Sequence, residues 1–384
     1  MGTLASAAIL ALLVFVASVV AVEAAISVAI IEIAAGVFVG NVLGIHGAPW
    51  LDFLAQFGGI LLTFLAGAEV DPGLLRSKLK PSLALGGASF LLPFLAAAAF
   101  AAFVAHWTPK ASLIAGAALS TTSLAVVYVV LVETRLNVTE LGKLIMAATF
   151  VTDIGTALAL SLLFADPSWT TAGFFAVSAV VVLLAPRLLP PVFERYGARV
   201  IEPEIKLLFA LLFGLMLLAQ WGKSHAVLPA FVLGLVLAPM FHRHRDLQRK
   251  LRVVAFGMVT PFFFLKGGMN VALGDLGPQL GLLLGFFLVK MAAKSVGVFP
   301  LARLHMPGAA TYTTLLMSTG LTFGTISALY GLQAGHIDRV QFSVLLTVVI
   351  GTAIVPTVIA QRWFAPRLGP EEREEAQARE EESA

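Results

Sequence analysis

The chain has 384 residues, 59% of them hydrophobic and 12% charged, with a mean hydropathy of +0.94. Soluble domains carry about 25% charged residues, so this composition excludes a soluble globular protein and fits an all-α polytopic membrane protein. The net charge of +3 gives no sign of a nucleic-acid partner, because the basic residues gather in loops between apolar runs; the lack of cysteine excludes disulfides and thiolate metal sites.

Apolar stretches near the ~20 residues that cross a bilayer predict about thirteen spans. In chain order they are 4–22, 25–43, 51–69, 82–105, 111–132, 141–164, 170–189, 205–221, 225–240, 255–273, 279–301, 309–331 and 340–360. The first run lacks a basic leader segment and reads as a span, not a signal peptide. Pro and Gly mark joints, as at Asp71-Pro72-Gly73, Asp166-Pro167 and Met306-Pro307-Gly308. The expected domains are a transmembrane domain, 1–365, and an acidic cytoplasmic tail, 366–384, read as a solvated helix or a disordered segment.

The basic residues test this count. With the N-terminus outside, the inside loops hold Arg76, Lys78, Lys80; Arg135, Lys143; Arg187, Arg195, Arg199, Lys206; Arg243, Arg245, Arg249, Lys250, Arg252; and Arg303. Arg362 and Arg367 follow the last span, whereas the outside loops hold only Lys110, Lys223 and Arg339. The positive-inside rule therefore puts the N-terminus outside and the C-terminus in the cytoplasm of a plasma (inner) membrane protein surrounded by lipid.

Two spans are poor continuous helices. Span 111–132 contains Ser120-Thr121-Thr122-Ser123, and span 309–331 contains Ser318-Thr319-Gly320-Leu321-Thr322-Phe323-Gly324-Thr325. Small and hydroxyl residues also serve tight helix packing. Here, however, the two segments cross the membrane in opposite directions, and interrupted spans at matching places in inverted repeats mark a transporter's site. Thr121, Gly320, Thr322 and Gly324 are the expected break residues.

Asp153, preceded by Thr152, sits near the middle of the apolar run Leu141 to Phe164. An ionisable group at bilayer depth is costly and marks an ion or proton path. A carboxylate held between the cost of burial and the pull of an ammonium can trade a proton for a cation. An alkali cation needs several oxygens, which Thr152, Thr122, Ser123 and the carbonyls of the breaks can supply. A structural Asp–Lys pair would use the same charge. Lys290 and Lys294 share one helix face at i and i+4, where two ammoniums repel. Lys290 lies nearer the depth of Asp153, and Lys294 about one turn closer to the cytoplasm. Lys266 is a third lysine at depth, and charge balance pairs it with Glu69 in a gating ion pair. Glu32 reads as a structural hydrogen-bonding residue. The histidines, His46, His106, His225, His242, His244, His305 and His336, fall in loops or near span ends and make no metal cluster. No nucleotide-binding glycine motif, nucleophile elbow or HExxH occurs, so neither an enzyme nor a bound cofactor is expected.

The segments IEIAAGVFVGNVLG at 31–44, LLTFLAGAEVDP at 61–72, ALSTTSLAVV at 118–127, FVTDIGTALALSLL at 150–163, TPFFFLKGGM at 260–269, VKMAAKSVGVFPLAR at 289–303 and STGLTFGTISALYG at 318–331 carry a resemblance. In order and spacing they resemble the second branch of the monovalent cation:proton antiporter superfamily, with its Nha-, Nap- and Kef-type members. The resemblance implies a homodimer with a scaffold and a mobile core, and inverted repeats with two broken helices crossed at the ion site. An aspartate matching Asp153 would take proton and cation in alternation, with a lysine on span 279–301 beside it. Depth favours Lys290 for that lysine, the AKSVG string Lys294. Several electrogenic members have two adjacent aspartates; Thr152 takes the first position here, which predicts one-for-one, electroneutral exchange of Na⁺, Li⁺ or K⁺ for H⁺. No nucleotide-binding domain follows residue 370, so Kef-type gating in cis is not expected. The competing readings are a sodium-coupled symporter of a small organic anion and, from another class, a channel-like conduit or membrane enzyme.

Overall fold

The computed structural model describes residues 3–24, 27–45, 48–137, 139–163, 168–197, 199 and 201–366. His46, the Asp166-Pro167 joint and the acidic tail beyond residue 366 lie outside the described residues. No strand occurs among the described residues. The chain begins with α1 (Thr3–Ala24), α2 (Val28–Asn41), α3 (Pro49–Ala68), the short α4 (Pro72–Ser77) and α5 (Leu79–Phe103). The next span is divided into α6 (Pro109–Ser120) and α7 (Leu124–Glu133), and α8 (Glu140–Leu163) follows. Then come α9 (Trp169–Tyr196), α10 (Pro203–Trp221), α11 (Val227–Arg243), α12 (Arg245–Val254) and α13 (Thr260–Met269). The short α14 (Leu273–Leu276), α15 (Leu280–His305), the divided α16 (Ala310–Met317) and α17 (Thr322–Gln333), and α18 (Arg339–Ile359) complete the chain.

Local chemistry sets many of the boundaries. Pro49, Pro109 and Pro203 open α3, α6 and α10, where a missing N–H costs nothing. The Thr108 hydroxyl accepts from the Ala111 N–H at 3.3 Å, and Ser168 does the same for Thr171 at 3.2 Å. Asp338 and Gln341 close a capping box on α18.

Eleven helical spans among the described residues are long and apolar enough to cross a membrane. Spans expected at 25–43 and 225–240 are the apolar helices α2 and α11, of 14 and 17 residues. The basic stretch expected as a loop before residue 255 is instead the helix α12. It buries Leu247 and Leu251 on one side and joins α13 through a π-helical turn, Ala255–Val259, just before Pro261. The span expected to stop at 189 continues to Tyr196 in spite of Pro190 and Pro191.

The chain divides into two compact units: 1–72 with 157–274, and 73–156 with 275–384. In the first, α2 packs on α13 and α3 on α11 through glycines. A Cβ on Gly36 would strike the Leu265 carbonyl, and one on Gly67 the Phe231 carbonyl; small residues of this kind let helix backbones approach where lipid gives no hydrophobic drive. In the second, Leu85, Val127, Leu131, Ile145, Val298 and Leu316 form a core that joins α5, α7, α8, α15 and α16.

Candidate ion site

The site is built where two interrupted spans meet inside the second unit. After Ser120 the chain leaves the helix: Thr121 and Ser123 are extended, at φ −67°, ψ 159° and φ −88°, ψ 109°. The second interruption covers 318–321, between α16 and α17. Hydroxyl-rich sequence permits these breaks because its side chains bond backbone groups that an intact helix would satisfy itself. The two breaks are bonded to each other. Ser123 N–H donates to the Thr319 carbonyl (3.1 Å) and the Thr122 hydroxyl to the Met317 carbonyl (2.8 Å), while the Ser123 and Thr322 hydroxyls lie 3.5 Å apart. Gly320 is required by this closeness. A Cβ there would come within 2.6 Å of Lys290 Nζ and 2.8 Å of the Thr121 carbonyl oxygen. Gly324 similarly lies against the Ala118 carbonyl.

Asp153 and Thr152, on α8, face this crossing. The Thr152 hydroxyl donates to the Thr149 carbonyl (2.8 Å) and accepts from Thr122 N–H (3.3 Å), which ties α8 to the first break. Asp153 is 2% exposed and lies within electrostatic reach of Lys294. Lys294 is fully buried. Its ammonium donates to Ser89 Oγ (2.7 Å), the Ser120 carbonyl (2.9 Å) and Thr122 Oγ1 (3.1 Å). The Ser120 carbonyl is at the C-terminal end of α6, where the helix dipole favours a cation. Lys290, also fully buried, donates to Thr352 Oγ1 at 2.9 Å and lies against Gly320. The two lysines left open by depth and sequence string thus separate: Lys294 sits at the first break within reach of Asp153, and Lys290 beside the second.

Sequence reasoning did not select Ser89, Ser120, Thr319 or Thr352 as partners. Ser120 and Thr319 fall within the hydroxyl runs already noted. Ser89 and Thr352 stand in mainly apolar spans beside other scattered hydroxyls, which on α18 bond carbonyls of their own helix.

The expected Glu69–Lys266 pair does not form. Lys266 Nζ lies 2.6 Å from Asp52 Oδ1, and Glu69 Oε1 lies 3.6 Å from Arg252 Nε. The reason is register. Asp52 is in the first turn of α3 and Glu69 caps its far end, about 25 Å away at 1.5 Å per residue. Lys266 reaches the Asp52 end of α3 and not the Glu69 end. Glu32 is buried on α2 in the first unit, away from the site's residues in sequence and unit. Among the described residues no group of three or more His, Asp or Glu side chains could hold a metal ion.

Comparison with known proteins agrees with this architecture. The family model described as sodium/hydrogen exchanger, transmembrane, matches residues 7–365. The chain is 27% identical to "Probable Na(+)/H(+) antiporter 3" of Methanocaldococcus jannaschii over 353 residues, 87% of this chain and 89% of that protein. It is 26% identical to Na(+)/H(+) antiporter NhaS4 of Synechocystis sp., with 82% of each chain covered. With Na(+)/H(+)-K(+) antiporter GerN of Bacillus cereus it shares 24% identity, over 86% of this chain and 88% of that one. The solved structure of the sodium proton antiporter MjNhaP1 of Methanocaldococcus jannaschii at pH 8 superposes with a TM-score of 0.66 at 16% identity, covering 96% of this chain and 100% of that one, which establishes a shared fold. With nearly its whole length matched by the family model and two crossed, interrupted helices at its centre, the chain belongs to the sodium/hydrogen exchanger family of transmembrane proteins.

Proposed function

We propose that Asp153 is the carrier in the monovalent cation/proton exchange that this chain performs. It holds a proton and an alkali cation by turns, as the site opens first to one side of the membrane and then to the other. One observation carries this reading. Among the described residues, Asp153 is the one acidic residue away from helix ends in the spans of the second unit, and it is buried within reach of Lys294 beside the crossing.

The chemistry follows from that position. A protonated Asp153 is neutral and leaves the Lys294 ammonium to satisfy Ser89, Ser120 and Thr122. Once deprotonated, Asp153 attracts a cation. The hydroxyls of Thr122, Thr152 and Ser123 and the carbonyls of the breaks supply its remaining ligands. Thr122 Oγ1 is held by Lys294 (3.1 Å), so an incoming cation and the ammonium compete for it. Na⁺ and Li⁺ are the leading substrates, and K⁺ belongs in the test because GerN is named for it.

With Thr152 in place of a second acid, one carboxylate carries either one proton or one cation, and the cycle moves no net charge. The chain acts as a homodimer in the plasma membrane, N-terminus outside, with residues 1–365 as the transport domain. Because it has no native cysteine, single introduced cysteines can report that orientation by their labelling from each side.

The decisive experiment is collapse of a pH gradient in proteoliposomes on addition of Na⁺, Li⁺ or K⁺, comparing wild type with Asp153→Asn. The variant should lose exchange while eluting from a sizing column like wild type. Exchange that survives Asp153→Asn refutes the assignment.

A further inference from the structure

Three neutral oxygens take the three N–H bonds of the buried Lys294 ammonium: Ser89 Oγ at 2.7 Å, the Ser120 carbonyl at 2.9 Å and Thr122 Oγ1 at 3.1 Å. With its donors filled in this way, Lys294 acts on Asp153 through its charge. The shortest of the three bonds comes from α5, which belongs to neither interrupted span.

Two features single out Ser89. A buried hydroxyl on a helix of this unit commonly donates to a carbonyl one turn back, as Thr149, Thr156, Thr314 and Thr325 do at 2.8 or 2.9 Å. The Ser89 hydroxyl turns away from its own helix: Oγ accepts from Lys294 and lies 3.5 Å from Thr122 Oγ1. Thr122 gives its own proton to the Met317 carbonyl, so Ser89 is the donor in that contact. The backbone under Ser89 is also held closely on two sides. A Cβ on Gly86, about one turn before it, would lie 2.5 Å from the Ala148 carbonyl oxygen of α8, the helix of Asp153. A Cβ on Gly297, about one turn beyond Lys294 on α15, would lie 3.0 Å from the Ala88 carbonyl oxygen. At the level of Ser89, α5 is thus fixed between the helix of the carboxylate and the helix of the lysine.

We propose that Ser89 is a positioning residue of the exchange: it completes a neutral set of acceptors that keeps the Lys294 ammonium from bonding Asp153, so that the lysine does not compete with the proton or cation carried there. The inference rests on Asp153 being the carrier. Among the described residues, the charged groups acting on Lys294 are Lys290, one turn away on α15, and Asp153 on α8. The ionisable groups on α5, α16 and α18, the helices packed on α15, are Lys80 and Arg339 at helix starts and Tyr312, whose hydroxyl lies 3.4 Å from that of Thr134.

Removing the Ser89 hydroxyl leaves one N–H of Lys294 without an acceptor, and the ionised Asp153 carboxylate is the charged acceptor that attracts it. That new ion pair has to be broken whenever Na⁺ or H⁺ binds, so both ligands weaken together. A hydrogen bond to a charged group is worth on the order of tenfold in such an equilibrium. In Ser89→Ala and Ser89→Cys, the second of which fills the space with a weak acceptor, the KM for Na⁺ should rise about tenfold and the acid limb of the pH profile should move down by about one unit. Ser89→Thr, which keeps the hydroxyl, should recover most of both shifts. A serine that only fills space would change the maximal rate or the stability without moving these two constants together.

Proteoliposome exchange as a function of Na⁺ and pH reads both, with Asp153→Asn run in parallel. Exchange surviving in Asp153→Asn sinks the carrier reading on which this inference stands. Exchange lost there, with wild-type KM and acid limb in Ser89→Ala and Ser89→Cys, or with shifts that Ser89→Thr does not reverse, sinks the Ser89 inference alone. Failure of both Ser89→Ala and Ser89→Cys to give monodisperse protein also overturns it, because the hydroxyl would then be a fold-forming group.

Discussion

Thr122→Val is the sharpest probe of the crossing, because valine keeps the shape of threonine and removes one hydroxyl. That hydroxyl donates to the Met317 carbonyl at 2.8 Å and accepts from Lys294 at 3.1 Å. Its loss leaves a buried carbonyl without this donor, a cost of about 1–3 kcal/mol. Lys294 keeps Ser89 and the Ser120 carbonyl, so its share of the loss is nearer the ~0.6–1.7 kcal/mol typical of hydrogen bonds between membrane helices. Together the substitution should destabilise the second unit by about 2–4 kcal/mol, or roughly 5–15 °C in midpoint for a unit of this size. Thermal unfolding of detergent-solubilised protein, followed by size exclusion, measures this. Thr122→Ser, which restores the hydroxyl, should recover most of the loss. The KM for Na⁺ in Thr122→Val should also rise on the order of tenfold, as about 1.4 kcal/mol of ligand binding requires. A Thr122→Val protein that melts and transports like wild type would show that this bond does not hold the crossing together.

On the proposed single-carrier scheme, in which each turnover moves one proton against one monovalent cation, an imposed membrane potential should change the exchange rate less than about twofold; strong acceleration or inhibition by a K⁺/valinomycin potential contradicts that scheme. Gly320→Ala puts a methyl within 3.0 Å of both the Lys290 ammonium and the Thr121 backbone, and overpacking of that kind costs about 1–3 kcal/mol; undiminished stability and transport would mean that the crossing yields readily. A double-mutant cycle on Asp52 and Lys266 should give a coupling of about 0.5 kcal/mol, modest because Asp52 is half-exposed, while the same cycle on Glu69 and Lys266 should give none within error.

The features legible in the sequence are those fixed by local chemistry. The breaks at 121–123 and 318–321 fall in the two hydroxyl- and glycine-rich runs, because a helix unwinds in the membrane only where other groups take over its backbone hydrogen bonds. Asp153 stood out because a lone carboxylate in an apolar run has no cheap explanation. What was not legible depends on register between elements distant in sequence. The partner of Lys266 is set by how α13 lies along α3, and composition weighs Asp52 and Glu69 alike. The helix α12 was obscured by its own charge. Arg245, Arg249 and Arg252 look like a solvated loop until Leu247 and Leu251 are seen to share a buried side. Lys290 and Lys294 could not be told apart because i and i+4 residues share a face, and only the positions of Ser89, Ser120 and Thr352 on other helices separate them.

Charge balance explains why threonine, and not a second acid, precedes Asp153. The Thr152 hydroxyl gives its proton to Thr149 and receives the Thr122 N–H, so it acts as donor and acceptor in one link between α8 and the first break. An aspartate at 152 could still accept from Thr122 but would have nothing to donate to Thr149. It would also set a second negative charge beside Asp153, and two buried carboxylates in contact cannot both ionise without cost. Lys294 would then be drawn towards the new charge and away from Ser120, uncapping α6. With threonine in place, the acidic charge in the interior of these spans is Asp153 alone, and the two ammoniums are held by neutral oxygens. Under the proposed carrier role, the electrostatic state of the crossing is then nearly the same whether Asp153 carries a proton or a cation. Near-equality of those two states is the condition for an exchanger to turn over in both forms without being trapped in either.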